Sequence, residues 1–146
     1  MSEQEKSQSE ISKRRSIVMQ LLRTELTDNK ARIIIRSTLP DTIPIEPLKL
    51  SHWQAILATG DLKFINDPII ITSISDAYRL LEVLVEIERD INHAAHNNTV
   101  TYVDGETAMF KLVKNSKNFH IQTMEAIDNA IIKINKVIDN KPHQDK

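Results

Sequence analysis

At 146 residues, with 19 Lys and Arg against 20 Asp and Glu, the chain can bury one core, and its net charge of −1 makes no global case for a polyanionic partner. Cysteine is absent, which excludes disulfides, a thiol nucleophile and Cys-based zinc, and 2 glycines are too few for loops that cradle phosphates or dinucleotides. No apolar run reaches the roughly 18 residues of a membrane span, and the polar start MSEQEKSQSE has neither secretory nor anchor character, so a soluble, cytoplasmic chain is expected.

Residues 1–9 read as a disordered tail, residues 10–139 as a single helical domain, and residues 140–146 as a second tail. A first helix is expected from Ile11 to Ser37, with Ile11, Val18, Leu22, Leu26 and Ile33 at helical spacing and Leu21 widening the apolar stripe. Pro40, Pro44 and Pro47 forbid helix in TLPDTIPIEPLKL, so this stretch should cross the surface extended, anchored by Ile43, Ile45, Leu48 and Leu50. In SHWQAILATG, Ser51 and Gln54 suit a capping box and Gly60 a left-handed C-cap, which predicts two helical turns over residues 52–59. So short a helix is marginal alone. Trp53, aided by Ile56 and Leu57 and extended by Phe64 and Ile65, is the expected pin.

Ser73 with Asp76 offers the N-cap of a third helix running to His96. Ile74, Ala77, Tyr78, Leu81, Leu84, Val85, Ile91 and Ala95 line one face and Leu80, Val83 and Ile87 another, as in a central helix. HNNTVTYVDGE is a connection in which Val100, Tyr102 and Val103 alternate without a partner strand. The last helix, from Glu106 to Ile138, sets Met109, Val113, Ser116, His120, Thr123, Ile127, Ala130, Ile134 and Val137 on a heptad seam. Its length, about 50 Å at 1.5 Å per residue, exceeds what a compact body needs. Either its end projects or a second copy covers it.

Few residue sets could carry chemistry. Asp90, His93 and His96 give one Asp-x-x-His and a second His at helical spacing, short of the convergent ligands a metal needs. Across an antiparallel helix hairpin, His120 comes level with Glu82 and Lys114 with Glu88, which reads as a buried polar layer fixing register. A proton-transfer pair is the sharper reading, but no nucleophile accompanies it. The first helix is basic, with Lys13, Arg14, Arg15 and Arg23 foremost, and the third is acidic, so the two either pair internally or the first presents cations to nucleic acid or anionic lipid.

LLRTELTDN, WQAILATG and ISDAY together resemble a poorly characterised prokaryotic helical domain. Its pattern is an early Leu-x-x-Glu-Leu-x-x-Asn, a Trp helix ending in Gly, and then Leu-Ser-x-x-Tyr. The matching positions are Leu22, Glu25, Leu26 and Asn29; Trp53 and Gly60; and Ile74, Ser75 and Tyr78, within about residues 13–92. The resemblance implies a domain on the cytoplasmic side, often behind one or two membrane-spanning helices, and carries no established activity. This chain departs from it in showing no such span.

The expectation is an all-α, up-and-down bundle of three long helices, with the short Trp-bearing helix and the proline-rich crossover packed on it. Trp53, Gly60 and Tyr78 are its structural anchors. The expected role is a non-enzymatic interaction or scaffold protein that self-associates through the long final helix, without cofactor or metal. Its partner would be a second copy or another protein, membrane-associated ones included, and nucleic-acid binding through the basic first helix is the alternative.

Overall fold

The computed structural model describes residues 2–38, 46–96, 102–103 and 106–139, and their side chains except at 94–96, 102–103 and 106–110. Four helices pack together: α1 (Glu3–Thr38), α2 (Ser51–Thr59), α3 (Pro68–His96) and α4 (Ala108–Asp139), with a 3-10 turn at Asp61–Phe64. Strands β1 (Tyr102–Val103) and β2 (Glu106–Thr107) form a two-residue antiparallel ladder, so the short alternating run does have a partner.

Most of the expected N-terminal tail is helix. Ser2 and Glu5 make a reciprocal capping box, the Ser2 Oγ accepting from the Glu5 amide at 3.2 Å and the Glu5 Oε2 from the Ser2 amide at 3.1 Å, which starts α1 eight residues early. Residues 3–14 are nonetheless exposed, Ile11 among them at 47%. The second tail, residues 140–146, and the prolines at 40 and 44 with Ile43 and Ile45 lie outside the described residues.

Helix α3 also starts before its expected cap. Asp67 Oδ1 accepts from the Ile69 and Ile70 amides at 3.0 and 3.3 Å, and Pro68 takes the first helical position, where its missing N–H costs nothing. Ser73 is therefore an interior residue; its hydroxyl donates to the Ile69 carbonyl and accepts from Lys133 Nζ at 2.7 Å.

Cross-helix contacts fix the directions. Arg23 meets Asn135 and Lys30 meets Asp128, so α4 runs antiparallel to α1. Glu25 meets Tyr78 and Arg36 meets Glu88, so α3 runs parallel to it. One core cluster joins Val18, Met19, Leu22, Leu26 and Ile33 of α1 to Trp53 and Ile56, to Ile74, Ala77, Tyr78, Leu81 and Leu84 of α3, and to Ile127, Ala130 and Ile134 of α4. The seam of α4 is thus filled by its own chain: every expected position from Val113 to Ile134 is buried. The second face of α3 is not: Val83 is exposed and Leu80 and Ile87 are half-buried.

Candidate functional site

One concentration of buried polar side chains lies between α1 and the strap of residues 46–50 that returns along it. Glu25, Asn29 and Arg36 sit on the inward face of α1, each at most 9% exposed. A buried polar group is costly unless bonded, and here each is bonded to the backbone of the returning chain. Arg36 donates to the Glu46 carbonyl and Arg32 to the Pro47 carbonyl at 2.8 Å. Asn29 clamps Lys49 from both sides, donating to its carbonyl and accepting from its amide, each at 2.7 Å. Glu25 accepts from the amides of His52 at 2.8 Å and Trp53 at 3.1 Å. The order 36, 32, 29, 25 against 46, 47, 49, 52 is an antiparallel ladder of side chains on main chain.

Glu25 ends that ladder and caps α2. The capping box expected at Ser51 and Gln54 does not form: α2 has no side-chain cap of its own, and the Ser51 hydroxyl lies 3.4 Å from Glu25 Oε2. A carboxylate from α1 instead takes the first amides of α2, where a negative charge also meets the positive end of the helix dipole. Oε2 takes the His52 amide, while Oε1 is shared by the Trp53 amide and the Tyr78 hydroxyl, the latter at 2.8 Å. Burial, with Glu25 alongside, pushes the Tyr78 phenol well above its ordinary range, so it stays a donor. Trp53 stacks on Tyr78, ring centroids 4.6 Å apart and planes 4° from parallel, and is 6% exposed. Gly60 closes α2 in the left-handed region at φ 76°, its amide reaching back to the Ile56 and Leu57 carbonyls. Leu57 itself is 49% exposed and pins nothing.

The residues that carry the resemblance, Leu22, Glu25, Leu26, Asn29, Trp53, Gly60, Ile74, Ser75 and Tyr78, all belong to this junction of α1, α2 and α3 or to its flanks. An open groove of about 760 Å³ lies outside the strap, lined by Thr24, Thr27, Asp28, Lys49, Ser51 and His52 among others. Its charges are matched: the hydrogen bond from Lys49 at 3.0 Å, with Arg32 at 3.4 Å, holds the Asp28 carboxyl below its usual range. The half-exposed His52 ring has Nδ1 3.3 Å from the Leu21 carbonyl and 3.8 Å from Glu25 Oε2.

A second polar layer crosses the bundle where α1 ends, with membership different from that expected. Glu82 and Lys114 are exposed and take no part. Glu88 is gripped by Arg36, Nε to Oε2 at 2.6 Å and Nη2 to Oε1 at 3.0 Å. Burial still pushes its carboxyl up, to about 7. His120 is 4% exposed with neither ring nitrogen hydrogen-bonded among the described residues; burial, helped by the Arg36 charge, lowers it to about 4. The neighbouring hydroxyls of Ser116 and Thr123 are turned to the carbonyls of Val113 and Phe119. Among the described residues this imidazole has no hydrogen-bonded base to orient it.

The basic first helix divides in two. Arg23 donates to Asn135 Oδ1 at 2.8 Å and lies 3.9 Å from Asp139, and Lys30 is 2.5 Å from Asp128, so α4 supplies the partners of these two, while the acidic α3 contributes Glu88 to Arg36. Lys13, Arg14 and Arg15 have no acidic partner among the described residues. Arg14 lies over the Phe64 ring at 5.4 Å, and Lys63 over the same ring at 5.3 Å. Asp90 and His93 are exposed on α3, the side chain of His96 lies outside the described ones, and no group of three metal-ligating side chains converges among the described residues.

Sequence reasoning missed Arg32, Arg36 and the role of Glu25. Their signal was present as polar residues on the apolar stripe of α1. No family model, curated protein or solved structure matches this chain.

Proposed function

We propose that the chain is an up-and-down bundle, with strap and α2 together returning where a fourth long helix would, and that it works as a non-enzymatic interaction module in the cytoplasm. The observation that carries the reading is how polar groups are used. Of the buried ones, Glu25, Asn29 and Arg36 are consumed in holding the chain's own backbone. The outward side of α1 instead displays Ile17 at 57% and Leu21 at 39% exposure near Lys13 and Arg14, which have no acidic partner among the described residues, and Ile35 at 59% toward its other end. A surface of that kind is made for contact rather than catalysis. Because the α4 seam is filled within one chain, self-association would use α1.

Sedimentation velocity at rising protein concentration tests this. The reading expects a shift to larger species that Ile17→Asp with Leu21→Asp abolishes. A strict monomer at high micromolar concentration that also binds no partner overturns it. The second reading is nucleic-acid binding through Lys13, Arg14 and Arg15. It requires affinity for RNA or DNA that falls steeply with salt, since phosphate contacts release counterions.

A further inference from the structure

The outward stripe of α1 has a chemistry that selects among partners. Along one side of the helix run Lys13, Arg14, Ile17 and Leu21, at the spacings that bring residues onto a common face. Lys63 joins them from the 3-10 turn, because it and Arg14 share the Phe64 ring. Of the cations on α1, Arg23, Lys30, Arg32 and Arg36 are committed to partners within the fold, whereas Lys13, Arg14 and Lys63 face solvent. Glu10 and Asp61 are the acids nearby and offset part of this charge.

Two features decide between partner classes. The stripe is the convex side of a single helix, whereas a peptide is normally received in a groove or on a strand edge. Its apolar members are aliphatic, and its one ring already lies under two cations, so it offers no stacking platform for bases. Cations flanking exposed aliphatic side chains on a convex helix match a flat surface that is anionic at its headgroups and apolar just beneath. We infer that this stripe, Lys13, Arg14, Ile17 and Leu21 with Lys63, docks the protein on an anionic lipid bilayer.

The inference rests on the interaction-module reading and names its partner. It is tested by flotation of the purified chain with vesicles of phosphatidylcholine alone and of phosphatidylcholine with about one-third phosphatidylglycerol, at low and high salt. Cations near such a surface supply attraction that salt screens. The wild type should therefore float only with the anionic vesicles at low salt, and Arg14→Glu with Lys63→Glu should weaken this at least tenfold. Ile17→Ser with Leu21→Ser should weaken it severalfold while keeping its salt dependence. Each variant is confirmed folded by its thermal melt. Absence of flotation at every composition, undiminished flotation of the charge-reversed variant, or binding of duplex DNA or RNA by the stripe in place of vesicles overturns it. A protein that self-associates but ignores vesicles loses this inference and keeps the broader reading; one that does neither loses both.

Discussion

Replacing Glu25 by Ala tests whether the buried carboxylate is structural. Its two oxygens serve the Tyr78 hydroxyl at 2.8 Å, the His52 amide at 2.8 Å and the Trp53 amide at 3.1 Å. A buried donor left without a partner costs about 1–3 kcal/mol. The Tyr78 hydroxyl and the Trp53 amide are buried, while His52 is half exposed and its amide can find water. Two full penalties and a partial one give a loss of about 3–6 kcal/mol. That is a large part of the roughly 5–15 kcal/mol by which domains are usually stable. Urea titration reports it by far-UV circular dichroism and by the fluorescence of Trp53, the only tryptophan. Tyr78→Phe removes one donor and should cost about 1–2 kcal/mol. With the carboxylate already gone, Tyr78→Phe should cost less, so the double variant should fall short of the sum by about 1 kcal/mol. A loss under about 1 kcal/mol for Glu25→Ala, or strict additivity with Tyr78→Phe, refutes the reasoning.

Gly60→Ala should cost about 1–2 kcal/mol of backbone strain; a Cβ there meets nothing within 4 Å, so an unchanged melting temperature would show that the φ of 76° is not required. Trp53→Ala should cost about 3–5 kcal/mol, as for other large buried aromatics; under about 1 kcal/mol, the indole does not pin α2. Burial raises Glu88 from 4.5 to about 7, so between those values the folded state holds a proton the unfolded chain has released, and stability falls as pH rises. His120, lowered from 6.5 to about 4, acts oppositely across a similar window, so His120→Leu should leave a melting temperature that declines from pH 5 to 7 (~) more steeply than in the wild type; parallel profiles would refute the pairing.

Local signals were legible in the sequence where one short stretch contained both ends of the interaction. Gly60 follows a two-turn apolar pattern, and its left-handed cap lies within four residues of the carbonyls it serves. The α4 seam is likewise a repeat inside one helix, and its buried positions agree with the heptad. What the sequence hid is nonlocal. Glu25 reaches the His52 amide across 27 residues, and Arg36 reaches Glu88 across 52, with no intervening periodicity to mark either. Ser51 and Gln54 have the letters of a capping box, but the Gln54 amide donates to the Leu50 carbonyl at 2.9 Å, so the helix already includes Ser51, and a carboxylate from another helix takes the His52 and Trp53 amides. Asp67-Pro68 was the better start for α3 because Pro at the first helical position needs no hydrogen-bond acceptor. The charge imbalance between α1 and α3 misled about partners, since topology sets Arg23 and Lys30 against α4.

The direction of the ladder bonds explains why Leu-x-x-Glu-Leu-x-x-Asn can be a folding signal without being a chemical one. Leu22 and Leu26 are fully buried in the core, while Glu25 and Asn29 stand one step around the helix, under the returning chain. Since these side chains bind main-chain atoms, they demand an extended path through residues 46–50 and almost nothing of the side chains there. Pro47 helps supply that path by forbidding helix, and its carbonyl remains available to Arg32. Leu48 turns inward, at 7% exposed, and Leu50 packs half-buried against the core. Remove the strap, and α1 would present a buried carboxylate, a carboxamide and a guanidinium to a core that cannot satisfy them. Remove the ladder, and a nine-residue helix would have neither an N-terminal cap nor a fixed approach for its tryptophan. Each half supplies what the other lacks, so the buried Glu25, which by burial alone resembles a catalytic acid, has its oxygens committed before any substrate could arrive.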